Sequence, residues 1–385
     1  MGGMGRAHLN TPIRQRFNAP LGLPAPCERM RVCITGICGF VGASLARFLK
    51  ASSPDLDVFG VDNLSRAGAE TNLAPLAALG ARVVRGDLRL ASDLDALPAA
   101  DWVIDAAANP SVLAGVGAGA SSRQLVEHNL VGTLNLLEYC KRHHAGLVLL
   151  STSRVYSIPA LAALPMRGES GAFILDTNQP LPPGVSARGI AENFSTQAPV
   201  SLYGASKLAS EQLALEYGAA FDFPVWINRC GVLAGAGQFG RADQGIFSFW
   251  LHAWKVGAPL AYIGFGGRGT QVRDAFHPDD LGRLLLAQMK GQPKGAPSRV
   301  FNAGGGPANS LSLAQLSDWC ARRFGPREVA ANPAPRPYDL PWVVMDASLA
   351  ESAWGWRPHL PLTDILEQIA EHAERHPDWL ARCGG

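Results

Sequence analysis

The chain has 385 residues, enough for one large domain or for two lobes that share a cleft. Its 34 basic side chains nearly balance 32 acidic ones, for a formal charge of +2, so neither nucleic acid nor an anionic membrane is expected as the main partner. Hydrophobic content is 47%, and no stretch of about 20 apolar residues is present to span a bilayer.

Seven cysteines, at 27, 33, 38, 140, 230, 320 and 383, are odd in number, scattered and without metal-ligand spacing. They read as reduced thiols of a cytoplasmic protein with no metal site. Residues 1–28 hold several Pro and Gly, no acid before Glu28 and no apolar signal core, and are expected to form a flexible tail.

From residue 31 onward, strand and helix patterns alternate. Arg31-Val32-Cys33-Ile34-Thr35 is a β-prone run that enters a glycine turn, Gly36-Ile37-Cys38-Gly39-Phe40-Val41-Gly42, and a helical pattern follows from Ala43 to Lys50. A second strand, Val58 to Val61, ends on Asp62-Asn63, with Asp62 lying 20 residues beyond Gly42. Strand, glycine turn, helix, strand and acid in this order are the context that dinucleotide binding requires. Glycines let the backbone approach a pyrophosphate, and the helix N-terminus offers it free N–H groups. A carboxylate at Asp62 accepts hydrogen bonds from a ribose diol and repels a 2′-phosphate, which favours NAD over NADP, with Arg66 nearby as the counter-indication. The cofactor-binding candidates here are Gly36, Gly39, Phe40, Val41, Gly42, Asp62, Asn63, Ser65 and Arg66.

Strands at 81–85 and 102–105 lead into Gly86-Asp87-Leu88 and Ala106-Ala107-Ala108. Residues just past strand ends line the cofactor crevice in such sheets, so Asp87 and Leu88 are expected near adenine. The small Ala106, Ala107 and Ala108 are expected where the cofactor nears the backbone. A long amphipathic helix over 121–142 contains Asn129, a further candidate beside the cofactor. The buried-looking strand from Leu147 ends in the hydroxyls Ser151-Thr152-Ser153, where Thr152 is a candidate to hold a sugar oxygen. Residues 157–200 are rich in Pro and Gly, and a loop of that length inside a compact domain reads as a functional flap.

Next come Tyr203 and Lys207, four residues apart and followed by a helical run. Positions i and i+4 share a helix face, so phenol and ammonium point into one site. A tyrosine near pKa 10 is a poor base at neutral pH, and an adjacent cation is expected to lower that value and make a proton shuttle. A buried strand over 225–229 then leads into a glycine-rich stretch. Shorter elements follow: helix 246–256, strands 260–263 and 272–274, helix 279–289, strand 299–302 and a closing helix 361–376. The expected architecture is α/β, a Rossmann-type doubly wound parallel sheet over 29–237, with the insertion 157–200, and a smaller α/β lobe mainly over 238–385.

Taken together, the glycine turn, Asp62-Asn63, Gly86-Asp87-Leu88, Thr152, and Tyr203 with Lys207 resemble the extended short-chain dehydrogenase/reductase family, over about residues 30–375. These are NAD-dependent nucleotide-sugar epimerases and dehydratases. Within the family, Asp62 to Gly68, Gly132 to Glu138, Gln238-Phe239, Asp243-Gln244-Gly245 and Gly269 to Asp274 are similar to stretches of the CDP-paratose (CDP-tyvelose) 2-epimerases. The resemblance implies a nucleotide-diphosphate sugar substrate held in the smaller lobe, with Arg273 on the diphosphate and Gln244 and Arg336 as further substrate-binding candidates. It implies Tyr203 as phenolate base, Lys207 on the nicotinamide ribose, Thr152 sharing the sugar hydroxyl, and a homodimer joined through the helices of Asn129 and Tyr203.

The family's dehydratases carry acidic side chains directly after the strand-end Thr, and its decarboxylases a Glu in this region. Here those places hold Ser153 and Arg154. Epimerisation, at C2 by resemblance, or simple alcohol oxidoreduction remains. The alternatives are a 4-epimerase, a sugar dehydrogenase with dissociable cofactor, and a non-catalytic NAD-binding protein. The intact Thr152, Tyr203 and Lys207 set argues against the last.

Overall fold

The apolar runs of the first half become strands of one parallel sheet in the computed structural model, which describes residues 29–116, 121–295 and 298–384. The tail expected over 1–28 lies outside the described residues. The strands are β1 (Arg31–Thr35), β2 (Asp57–Asp62), β3 (Arg82–Arg85), β4 (Trp102–Asp105), β5 (Gly146–Thr152), β6 (Val225–Cys230) and β7 (Val300–Ala303). Their order is β7-β6-β5-β4-β1-β2-β3, every pair parallel.

Alternate side chains along each strand enter different cores, which is why the runs read as continuously apolar. Val32, Ile34, Ile104, Val148 and Trp226 pack on one face with Leu45 and Leu49 of helix Phe40–Ser52. Cys33, Val103, Leu147, Leu149 and Ile227 pack on the other with Leu136, Tyr139 and Ala214. Each fully buried Leu or Ile contributes about 1.5–3 kcal/mol. Strand order reverses between β1 and β4, and the crevice of such a sheet lies beyond the carboxyl ends at that point.

Two helices approach the crevice from the second face. Ser122–Val126 and Gly132–His143 are one helix interrupted by a wider π turn over Glu127–Val131. Beside it runs Ser201–Phe221, whose buried side is unusually polar and includes Ser206, Lys207, Ser210 and Glu211. Ser210 satisfies itself on Asn129 O at 3.1 Å, a carbonyl of the π turn.

The second half alternates between lobes. Val232–Leu233, Val272–Phe276, Ser310–Ser312 and Trp342–Val343 form a separate four-stranded sheet. Helices Ile246–Val256, Leu313–Phe324 and Leu362–Arg375 share one core in this smaller lobe. Between these pieces the chain returns to the large sheet, where β7 pairs with β6 and Leu281 and Leu285 of helix Pro278–Lys290 enter the first core. No helix among the described residues is long and apolar enough to cross a membrane. The six described cysteines are buried and free of disulfides.

Candidate active site

Beyond the carboxyl ends of β1 to β4 lies a cavity of about 350 Å³. Its wall carries Gly36, Gly39, Phe40, Val41, Gly42, Asp62, Asn63, Ser65, Arg66, Asp87, Leu88, Ala106, Ala107 and Ala108. The glycine turn closes only because side chains are missing: a Cβ at Gly42 would come within 2.2 Å of Gly36 O, and one at Gly36, where φ is +61°, within 3.1 Å of Ala107 Cα. Gly39 caps the following helix without a side chain, so the first-turn amides have no capping partner and form a cradle suited to a pyrophosphate.

Asp62 accepts from Cys38 N at 2.9 Å and from Leu64 N at 2.8 Å, which fixes its carboxylate between the glycine turn and the next loop. Arg66 donates to Gln244 Oε1 at 2.7 Å and to Phe239 O. It is thus engaged across the cleft, which removes the counter-indication to NAD. Asp87 receives Arg89 Nε at 2.9 Å and Asn63 Nδ2 at 3.1 Å, and the Arg89 guanidinium holds its carboxyl well below the usual range. Arg89 and His128 also stand on the wall, and the sequence reading missed both.

Asn129 does not line this cavity. It is 2% exposed, accepts from Asn109 N at 2.8 Å, and donates to Asn109 O at 3.1 Å and Ser206 Oγ at 3.3 Å. These bonds pin the segment after β4 to the helix of Tyr203.

Thr152, Tyr203 and Lys207 are brought together at the ends of β5 and β6. Thr152 pairs in register with Cys230, whose thiol feels the Lys207 charge, and the Thr152 side chain stands near enough to the Tyr203 phenol to pull its pKa down. Tyr203 is 7% and Lys207 2% exposed, and none of the three lies on the wall of the cofactor cavity. Burial pushes the phenol up to about 12, while Thr152 and the Arg154 charge pull it down. The expectation that Lys207 leaves Tyr203 with a lowered value is not met: burial raises the phenol, and the cation that pulls against it is Arg154.

One turn further along the same face stands Glu211, fully buried and ion-paired with Arg229 Nη2 at 2.7 Å. Ser151 donates to the same carboxylate, so this pair locks the helix onto β5 and β6. The only sequence signal was a Glu four residues past Lys207.

A second cavity, of about 190 Å³, shares Gln244 and Gly245 with the first. All three substrate candidates, Gln244, Arg273 and Arg336, stand on its wall, together with Arg154, Asp243, Gln271, Tyr338 and Asp339. Arg273 donates to Asp339 Oδ1 at 3.0 Å and to Leu340 O at 2.9 Å, and Arg336 to Ala242 O at 3.3 Å. The carboxamide oxygen of Gln271 is buried with no hydrogen-bond partner among the described residues. Arg154, noted from the sequence only as a missing acid, donates from Nη1 to Tyr338 O at 3.0 Å. Burial and the Arg273 charge push it down to about 10.

No residue of 157–200 stands on the wall of either cavity. The segment folds into a short helix and two hairpins and ties the two sheets together. Phe173 N donates to Thr270 O and Ile190 N to Val344 O, both at 2.8 Å. On the large-sheet side, Asn302 Nδ2 donates to Ile190 O at 2.8 Å.

Residues 32–304 match the model of the NAD dependent epimerase/dehydratase family. The chain is 31% identical to the CDP-paratose 2-epimerase of Salmonella typhi over 88% of its own length and 98% of that protein's. It is 27% identical to the UDP-glucuronate 4-epimerase of Thermodesulfobacterium geofontis, over 89% and 96% of the two chains. Its fold is similar to the crystal structure of UDP-glucuronic acid 4-epimerase from Bacillus cereus in complex with UDP-glucuronic acid and NAD. The TM-score is 0.70 at 24% identity, over 90% of this chain and 99% of that one.

Proposed function

The chain belongs to the NAD dependent epimerase/dehydratase family and is an NAD-dependent enzyme, and we propose that it inverts C2 of the hexose in a nucleotide-diphosphate sugar. The observation that carries epimerisation is the pair Ser153 and Arg154 beside Thr152 and Tyr203, where elimination would need a carboxyl group. The carboxylates of the second cavity are already engaged, Asp339 by Arg273 and Asp243 by Ser111 Oγ at 2.8 Å. C2 is favoured by the similarity to the Salmonella 2-epimerase across nearly all of that protein.

When bound, NAD supplies a hydride acceptor and, in its oxidised form, a positive charge beside the sugar. Tyr203, as phenolate, would take the proton of the C2 hydroxyl, with the cofactor as acceptor for the C2 hydrogen. Thr152 would share the hydrogen bond of that hydroxyl. Lys207, buried one turn along, would stabilise the phenolate and hold the nicotinamide ribose. The C2 ketone would turn over in the cavity, and Tyr203 would give the proton back as the carbon is reduced from its other face. Oxidation and reduction cancel, so the cofactor need not be added and stays with the protein.

The similarity to 4-epimerases favours C4 as the second reading. One experiment separates them. Purified protein without added NAD is incubated with CDP-, GDP- and UDP-linked glucose and deoxyhexoses, and the released sugars are identified. Gluco-to-manno conversion is expected. Gluco-to-galacto conversion would move the reaction to C4, and accumulation of NADH only after NAD is supplied would make the protein a dehydrogenase.

A homodimer is part of the same proposal. The helices Gly132–His143 and Ser201–Phe221 lie side by side, joined by Tyr217 Oη to Glu138 Oε1 at 2.7 Å, and they carry the exposed apolar residues Leu134, Leu202 and Phe221.

A further inference from the structure

Arg154 stands where the candidate catalytic groups and the cationic cavity meet. Its backbone N–H donates to Thr152 Oγ1 at 3.2 Å, and its carbonyl rests against Gly204, where a Cβ would come within 2.2 Å. The backbone of Arg154 is thereby fixed beside Tyr203. Its side chain leaves this turn and reaches Tyr338 O at 3.0 Å, next to Asp339, which pairs with Arg273 at 3.0 Å. One side chain therefore spans the distance from Thr152 and Tyr203 to the arginine cluster.

Its partner there is neutral. Asp339 is taken by Arg273 and Asp243 by Ser111. A largely desolvated guanidinium whose one hydrogen-bond partner among the described residues is a carbonyl, and which feels an Asp339 charge already paired with Arg273, is poised for an anion, which would form charge-assisted hydrogen bonds with it.

The chemistry of the substrate says where such an anion lies. In a nucleotide-diphosphate hexose the β-phosphate is carried on C1. C2 is bonded directly to C1, whereas C4 lies on the far side of the ring. A cation that adjoins the base and also faces the sugar's phosphate is therefore compatible with C2 at the base, and superfluous with C4 there.

Resting on the reading above, we propose that Arg154 binds the β-phosphate while Tyr203 addresses the neighbouring C2 hydroxyl, and so sets which carbon of the hexose is epimerised. Arg336 and the donors of Arg273 left free by Asp339 hold the rest of the diphosphate. The ketone then turns about an anchored phosphate, and the ring keeps its place between the two half-reactions.

The test compares wild type with Arg154→Gln and Arg154→Lys in the full chain, with NAD content as the check on folding. Nucleoside diphosphates and monophosphates of the accepted base serve as competing ligands. Arg154→Gln should weaken inhibition by the diphosphate about 10- to 100-fold, the range for one hydrogen bond to a charged group, and leave inhibition by the monophosphate unchanged. Conversion should fall with it, and Arg154→Lys should recover part of both. Equal losses for diphosphate and monophosphate, or no loss for either, would overturn the assignment of Arg154 while leaving a C2 epimerase in place. Gluco-to-galacto conversion by the wild type would overturn the C2 reading itself, and the role of Arg154 with it.

Discussion

In the proposed reaction Tyr203 carries the chemistry against its own environment. Burial pushes the phenol up to about 12, so deprotonation depends on charges delivered to the site and on Thr152 and Arg154. Burial also raises Tyr139, Tyr156 and Tyr262, so in cofactor-free protein the ultraviolet titration of wild type minus that of Tyr203→Phe should show the Tyr203 phenol ionising above the ordinary range, and saturating NAD should lower that value. An unmoved titration would mean that the cofactor does not activate this group. Tyr203→Phe should retain NAD and lose turnover, and a variant with wild-type activity would remove Tyr203 from the mechanism. Tyr203, Lys207 and the glycine turn were legible in the sequence because helix spacing and turn chemistry are local. The Arg154 contact to Tyr338 and the Asn129 contacts to Asn109 and Ser206 were not, because each joins residues far apart in the chain.

Among the elements, the helix Ser201–Phe221 owes its position to the buried Glu211–Arg229 pair. Glu211→Gln leaves Arg229 without its carboxylate and should cost about 3–5 kcal/mol of stability in denaturant unfolding. A loss under 1 kcal/mol, of the size seen for exposed pairs, would mean that the pair does not hold the helix. The C-terminal segment has a less obvious task. Trp379 stacks on Phe239, with ring centroids 5.6 Å apart, and donates to Gln238 O at 2.9 Å, while Arg241 Nε donates to Cys383 O at 2.9 Å. Gln238 and Phe239 line the cofactor cavity, so removing the chain after His376 should make NAD dissociable and activity dependent on added cofactor. Full NAD retention in the shortened chain would contradict this. The strands and helices were readable from their periodicity, whereas the bracket over 157–200 was not. Its order comes from backbone bonds to Thr270, Val344 and Asn302, and Pro and Gly content says nothing of distant partners.

For the molecule as a whole, acid stability turns on a buried histidine pair. His252 Nε2 lies 3.0 Å from His372 Nδ1, and burial lowers both, His372 to about 3. An unfolded histidine titrates near about 6.5, so between about 6.5 and about 3 the unfolded chain binds more protons and stability falls as pH falls. Asp274, which burial pushes up to about 7, acts the other way between about 4 and about 7, so the comparison must be with a variant. His372→Gln should flatten the loss of Tm between pH 7 and about 5, and an unchanged slope would clear the pair of this role. In the proposed dimer, Leu134→Glu should yield monomers by sedimentation, and an unaltered dimer would place the interface elsewhere.

In the proposed reaction hydride leaves C2 of the sugar and returns to the same carbon from the opposite face. Substrate deuterated at C2 distinguishes this from other routes, with protein that has received no added NAD. The expected product is inverted at C2 and keeps its deuterium there, because the retained cofactor would hold the label between the two steps. Loss of the label to water would mean proton abstraction without a hydride step, and inversion at C4 with C2 untouched would place the reaction at the other carbon.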